Sequence, residues 1–311
     1  MIRDEGTGAA AAPAAGAGLE DRIRAFAGRA SLEITSADKS LPAALAGRLP
    51  AGAALYVAHV PGTSLADVVE TACIAEHAGF RGCPHIVARR IGSRGELDAG
   101  LARMQAGGVR QALLVAGDQT PPAGPFPSTL EIIESGALEA AGIAAIGVAG
   151  HPQGNAHIGP AQLREALQRK QAFAARTGVA VHIVTQFGFN PEALAAFDRE
   201  LAADGIELPV HAGVAGPASL KGLAKFAMLC GIGASLAALI ANPAALRTLV
   251  RTVDEIFPAI VRLREGALAR RLVQPHFFAF GGVMKTVEWL EAVRAGRFDL
   301  DPATGAIAIR N

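Results

Sequence analysis

The chain has 311 residues, long for one domain but ordinary for a barrel built from eight β/α units. Hydrophobic residues make up 51% of it, enough for a sizeable core, and 29 basic against 28 acidic residues leave a formal charge of +1. That balance offers no electrostatic basis for nucleic acid or a membrane surface as partner. The cysteines Cys73, Cys83 and Cys230 are widely spaced with no CxxC pair. Such a set argues against a disulfide scaffold and fits a reducing, cytoplasmic setting.

In chain order, residues 1–18 mix Arg3, Asp4 and Glu5 with alanine and glycine broken by Pro13. They lack the apolar core of a secretion signal and read as a disordered tail, with residues 19–311 as one barrel domain. A short amphipathic helix is expected over 18–29. Short apolar runs then alternate with helical ones. The runs predict strands at 31–35, 54–60, 82–87, 111–116, 144–149, 179–187, 208–212 and 275–280. Helices are expected at 42–47, 65–78, 94–106, 128–141, 160–176, 191–203, 219–229 and 283–295, with a further block at 243–265. Residues 226–246 carry no charge, but Gly231, Gly233, Ser235 and Asn242-Pro243 interrupt them. A buried helix–turn–helix fits better than a membrane span.

Strands apolar on both faces, each followed by a helix, indicate a parallel sheet covered by helices. A doubly wound sheet would want a glycine-rich turn after its first strand. This chain instead reads Ser36-Ala37-Asp38-Lys39. The expected fold is therefore α/β, a single-domain (β/α)8 TIM barrel preceded by a short helix. Barrel active sites gather at the C-terminal strand ends, which puts Glu33, Thr35, His59, His85, Asp118, His151, Gln186, His211 and His276 in view.

Two reaction classes fit these residues poorly. A metal-dependent amidohydrolase wants paired histidines on the first strand, which here reads Leu32-Glu33-Ile34-Thr35, so no metal site is expected. A Schiff-base aldolase wants a strand lysine, whereas Lys39, Lys170, Lys221, Lys225 and Lys285 fall in helices or loops. The turn Gly213-Val214-Ala215-Gly216 before a helix leaves an anion site open. Glu33 and Asp118 are the sharper clue, because a carboxylate at the end of an apolar strand is costly unless it is paired or used. Gly117 would let the backbone pass close to a flat or bulky group.

Four segments, in order, carry a resemblance to the methylenetetrahydrofolate reductase family over roughly residues 30–300. They are Leu32-Glu33-Ile34, Leu114-Val115-Ala116-Gly117-Asp118, the loop from Gly147 through His151-Pro152-Gln153-Gly154-Asn155, and Thr185-Gln186-Phe187-Gly188-Phe189-Asn190. Pro84-His85, Leu167-Gln168-Arg169-Lys170 and His276-Phe277-Phe278 are weaker echoes. The resemblance implies a barrel with FAD at its mouth, reduced by NADH or NADPH. The reduced flavin would then convert 5,10-methylenetetrahydrofolate to 5-methyltetrahydrofolate in one-carbon metabolism. Glu33 matches the acid that protonates N10, Asp118 the residue beside the flavin and pterin rings, and Gln186 a substrate hydrogen-bonding position. His59, His85, Gly117, Asp118, His151, Asn155, Arg169 and Lys170 are implied as cofactor-binding residues, Arg169 and Lys170 for the phosphates.

The chain departs from the family pattern at several places. Ala116 stands where the family carries arginine, His151 where it has tyrosine, Asn155 at its histidine position and Leu163 at an aspartate that grips FAD's sugar. Leu220 takes the place of a stacking aromatic. Gly282 takes that of an arginine meeting the folate tail, with Lys285 near enough to substitute. These losses spare the acid and fall on flavin grip and ring stacking, so weakened FAD affinity is expected. The runner-up is a folate-dependent one-carbon or methyl-transfer component on the same barrel that has lost FAD. A third reading is a non-catalytic folate-binding partner of a methyltransferase. Nothing in the sequence opposes a homo-oligomer.

Overall fold

The computed structural model describes residues 17–155, 157–188, 190–217, 252–265, 270–280 and 282–310. The expected tail through residue 16, the helix at 219–229, the helix–turn–helix at 226–246, the first part of the block at 243–265, Cys230 and Leu220 lie outside the described residues.

Among the described residues, eight parallel strands close into a barrel in chain order. They are β1 (Ser31–Thr35), β2 (Ala54–Ala58), β3 (Arg81–Val87), β4 (Gln111–Val115), β5 (Ala145–Gly150), β6 (Ala180–Thr185), β7 (Val210–Ala215) and β8 (Leu272–Phe278). Closure comes from β1 pairing with β8, Ser31 opposite His276 and Glu33 opposite Phe278. Helix α1 (Leu19–Ala27) precedes the barrel. Helices α2 (Leu41–Leu45), α3 (Leu65–His77), α4 (Arg94–Ala106), α5 (Thr129–Glu134), α6 (Ala137–Ala140), α7 (Pro160–Thr177), α8 (Pro191–Ala203), α9 (Val253–Leu263) and α10 (Val283–Arg294) cover it.

Strand alternation sorts the side chains into two layers. Leu32, Ile34, Leu55, Val57, Ile86, Leu114, Ile146 and Val148 point outward into the main core with the helices. Inside the barrel a smaller apolar cluster holds Ala54, Tyr56, Cys83, Leu113 and Val184. The helices start where local chemistry lets them. Ser64 caps α3 by accepting from Asp67 N, and the Asp67 carboxylate accepts from Ser64 N. That helix lies so close to β3 that a Cβ on Gly82 would sit 2.1 Å from the Ala72 carbonyl oxygen.

Three features differ from the sequence expectation. The helix expected at 128–141 is two, α5 and α6, because Gly136 takes φ +73° and turns the chain between them. Strand ends shift by a few residues, most at β7 and β8. A C-terminal hairpin of β9 (Phe298–Leu300) and β10 (Ile307–Ile309) also appears, burying Phe298 and Ile307. Three-residue strands give too short an alternation to read from sequence.

One buried ion pair ties α8 to the start of β8. Arg271 Nε and Nη2 donate to the Asp198 carboxylate at 2.7 and 3.1 Å, with side-chain exposures of only 8% and 6%. The two-point geometry satisfies both groups, and removing either alone would strand a buried charge.

Candidate active site

The mouth of the barrel has an acid side, built by β1, β3 and β8. Glu33 turns inward from the middle of β1, its side chain 18% exposed. Its Oε2 lies 3.5 Å from His85 Nε2 and 3.8 Å from His276 Nε2. Neither contact is a hydrogen bond at those lengths. Ser31, two residues earlier on the same face, holds the His276 ring: its Oγ lies 2.9 Å from Nδ1. Ser31 Oγ also lies 3.4 Å from the Pro275 carbonyl and accepts from Gln274 Nε2 at 3.3 Å.

Burial sets the charges here. It raises the Glu33 pKa, with the positive charge of a protonated His85 acting in the opposite sense. His85 itself is lowered to about 4 and His276 to about 3, both chiefly by burial. Near neutral pH the two rings are therefore uncharged, so the opposing effect of His85 is absent and burial shifts the Glu33 equilibrium toward its acid form.

Beneath Glu33 the barrel interior stays polar. Tyr56 Oη is 2.9 Å from His182 Nε2, and its ring meets His276 edge-on at 4.5 Å. His182 stacks on His211 at 4.1 Å. Burial lowers His182 to about 3 and holds His211 well below its ordinary value, so this stack is neutral too. Burial also pushes the Cys83 thiol up, so Cys83 is not a reactive thiolate.

A second region lies over β2, β3 and β4. A cleft of about 500 Å³ is lined by His59, Thr63, Ser64, Arg90, Asp118 and Gln119, among others. His59 donates from Nε2 to the Thr63 carbonyl at 3.0 Å, while its buried Nδ1 has no partner. Gly117 has φ +85°, and a Cβ there would sit 2.5 Å from Val87 Cγ1, so both backbone and packing require glycine. Asp118 follows it into the open: its side chain is 67% exposed, with Arg90 Nη2 at 3.5 Å. The sequence suggested a costly carboxylate at a strand end. The turn at Gly117 instead carries Asp118 off the strand and into solvent.

The third region is β5, β6 and α7. His151 directly follows β5 and is lowered to about 4 by burial and by Lys170. Lys170, on α7, is only 7% exposed, has no hydrogen-bond or ion-pair partner among the described residues, and is lowered to about 8 by burial. Its neighbour Arg169 points elsewhere, into an ion pair with Glu134 on α5. Asn155 is engaged by its own loop, its Oδ1 accepting from His157 N at 2.9 Å and Ile158 N at 3.1 Å. Gln186 follows β6 and borders a pocket of about 30 Å³ between Thr185, Asn190 and α9, room for a single water. Lys285 is exposed in the first turn of α10.

The structure thus brings Glu33, His85 and His276 together, gathers His59 and Asp118 around one cleft with Gly117 turning the chain into it, and sets Lys170 beside His151. Arg169 and Asn155 are drawn into local contacts. Sequence reasoning missed Arg90 and a mouth-side aromatic group in which Phe187 meets Phe280 edge-on at 4.7 Å and Phe278 tilted at 5.8 Å. The run Phe277-Phe278-Ala279-Phe280 was the available signal for the second. Nothing in the local pattern marked Arg90 apart from Arg89. Among the described residues no group of His, Cys, Asp and Glu is arranged to hold a metal ion, and no helix is long and apolar enough to cross a membrane.

The methylenetetrahydrofolate reductase family model matches residues 57–245. That span runs from within β2 past β7, so it contains His59, His85, Asp118, His151, Lys170 and Gln186 but not Glu33. Among solved structures, the chain is similar to a candidate phosphonomutase from Burkholderia cenocepacia J2315 at 14% identity, covering 89% of this chain and 98% of that one, with a TM-score of 0.47. A phosphonopyruvate hydrolase complexed with oxalate and Mg++ matches at 11% identity over 89% of this chain and 86% of its own, TM-score 0.46. A family 18 chitinase from Crocus vernus matches at 10% over 84% and 99%, TM-score 0.44. Likenesses this distant carry no argument about chemistry.

Proposed function

The chain belongs to the methylenetetrahydrofolate reductase family, and from that premise we propose that it reduces 5,10-methylenetetrahydrofolate to 5-methyltetrahydrofolate, using FAD reduced by NADH or NADPH. The observation that carries this reading is Glu33, a carboxyl whose burial favours the protonated form, between two neutral histidines. Opening the methylene bridge requires a proton on N10, which leaves an iminium at N5. A neutral carboxylic acid at the mouth is suited to give that proton. FAD, when bound, supplies the hydride that turns the iminium carbon into a methyl group. The remaining tasks fall to this chain: Glu33 yields its proton, Ser31 fixes the His276 ring beside it, and Gln186 hydrogen-bonds the substrate or the nicotinamide amide.

Lys170 supports a fit to FAD. A buried ammonium without a partner is costly, and an anionic phosphate would satisfy it. Against tight binding stand Ala116 in place of a cation, Asn155 engaged by its own loop and Arg169 paired with Glu134. These three favour the second reading, a folate-dependent one-carbon component that has lost FAD. Titrating the protein with FAD and following flavin fluorescence separates the two. Saturable binding supports the reductase, and none at high micromolar FAD supports the alternative.

The test of the acid is Glu33→Gln, which keeps shape and removes the transferable proton. Stopped-flow measurement should show the folate half-reaction slowed ~10²–10⁴-fold while nicotinamide reduction of the flavin is little changed. An equal fall in both would mean that Glu33 supports the site rather than donates to it.

A further inference from the structure

Resting on the reading above, we infer that Tyr56 is a positioning residue for the acid: its ring is the floor of the site, closing the barrel beneath Glu33 against water and bracing both histidines beside it. In a parallel eight-stranded barrel the inward side chains stack in layers drawn alternately from odd and even strands. The strand registers put Glu33 in one layer with His85, Ala149 and Gly213. The even strands supply the next layer down, Tyr56, Leu113, Val184 and His276. Only His85 accompanies Glu33 with a side chain larger than a methyl group. The carboxyl therefore rests on the lower layer, and Tyr56 is its direct register partner.

Tyr56 crosses the whole interior. β2 and β6 stand opposite one another in the ring of strands, and Tyr56 Oη lies 2.9 Å from His182 Nε2, so one hydrogen bond spans the barrel. The ring is 1% exposed and meets His276 edge-on at 4.5 Å and His85 edge-on at 6.2 Å. Those are the two imidazoles that flank Glu33. The titratable groups on its lower side are Cys83 and the His182–His211 stack, with the charge of Arg81 felt from the start of β3. On its upper side are Glu33 and His85, with His59 facing His85 from the loop after β2. Nε2 of His85, Nε2 of His276 and Nδ1 of His211 are buried without a hydrogen-bond partner among the described residues. Water admitted past Tyr56 would find several of them to bond, together with Glu33. A carboxylate hydrated from below would lose the desolvation that favours its acid form.

Infrared titration of the ligand-free protein tests the floor. The carboxylic C=O band that disappears in Glu33→Gln marks the Glu33 acid, and its midpoint against pH is the readout. Tyr56→Ser should lower that midpoint by about one to two pH units, as should Tyr56→Val, the variant with the better strand former. Tyr56→Phe keeps the ring and should shift it less. The folate half-reaction needs the protonated acid and slows as pH rises through the Glu33 value. Its falling limb should therefore move to lower pH by the same amount, with nicotinamide reduction of the flavin unmoved. A midpoint unchanged from the wild type in folded Tyr56→Ser and Tyr56→Val overturns the inference, even if turnover drops. So does a Tyr56→Phe shift as large as theirs, which would put the effect in the phenol rather than in the ring. The expected shifts in a protein that reduces no methylenetetrahydrofolate keep the floor and overturn the reductase reading alone.

Discussion

The two sides of the barrel mouth are built differently. On the acid side, Ser31, Glu33, His85 and His276 all sit on strands, and the barrel register fixes which of them face one another. On the opposite side, Asp118 and Asn155 lie in loops and Arg169 and Lys170 on a helix, where local turns and surface ion pairs decide their direction. A strand residue cannot be turned to the other face without a one-residue slip that turns all its strand neighbours too. A loop or helix residue can be re-aimed by one new turn or one new ion pair. The departures from the family pattern at Ala116, His151, Asn155 and Leu163 fall on the second side, whereas the acid side keeps its glutamate and departs only in the loop after β8, at Gly282.

The largest effect should come from titrating the interior that supports the acid side. His85, His182, His211 and His276 all have folded pKa values below the usual 6.5, His85 at about 4, His182 and His276 at about 3. For such groups, stability is complete above pH 6.5 and is lost as pH falls toward the folded values, because only the unfolded chain takes up the protons. Each histidine contributes a slope of ~1.4 kcal/mol per pH unit. Several together would exhaust the ~5–15 kcal/mol typical of a folded domain. Urea unfolding from pH 7 downward should show acid unfolding in the region of pH 4–5. His211→Gln should lower the slope by about one proton. A stability flat between pH 6.5 and 5 would mean that water already reaches these rings.

A smaller effect, opposite in sign for fold and ligand, is expected on the loop side. Burial holds Lys170 at about 8, below its ordinary 10.5, so its folded-state cost is present at neutral pH and disappears as pH rises past the unfolded value. Lys170→Met should therefore stabilise the ligand-free protein by ~1–3 kcal/mol while weakening FAD. Thermal melts with and without FAD read both signs. A melt lowered in the absence of ligand would show that Lys170 already has an anionic partner.

Smallest is the reverse experiment on the missing cation. Ala116→Arg should tighten FAD about tenfold if the pocket wall has kept room for it. A folded Ala116→Arg protein with unchanged affinity would mean that the wall has been rebuilt without room for that cation.

Much of this arrangement is legible in the sequence. Short apolar runs separated by capped helices give the strand order, and the polar residues that end those runs give most of the site, including Glu33, His59, His85 and His151. Three things escaped it for specific reasons. Gly136 splits a helix whose apolar period runs through it unbroken. The hairpin at Phe298–Leu300 and Ile307–Ile309 is too short to show alternation. Asp198 and Arg271, 73 residues apart, read as surface charges until the fold buries them together.

The sequence by itself determined the barrel, the family and the residue types at the strand ends, because these depend on local periodicity and on short motifs. Only the tertiary structure decided what surrounds the acid. The apolar neighbours Leu32 and Ile34 suggest a dry setting for Glu33, yet side chains one position apart on a strand point to opposite faces, and both belong to the outer core. The setting of Glu33 is made instead by His85, His276 and the β8 register partner Phe278. Those residues lie 52 to 245 positions away, and only closure of the barrel brings them within a few ångströms of one carboxyl group. A proton affinity is a property of the surrounding volume, and that volume is assembled from every strand that faces it.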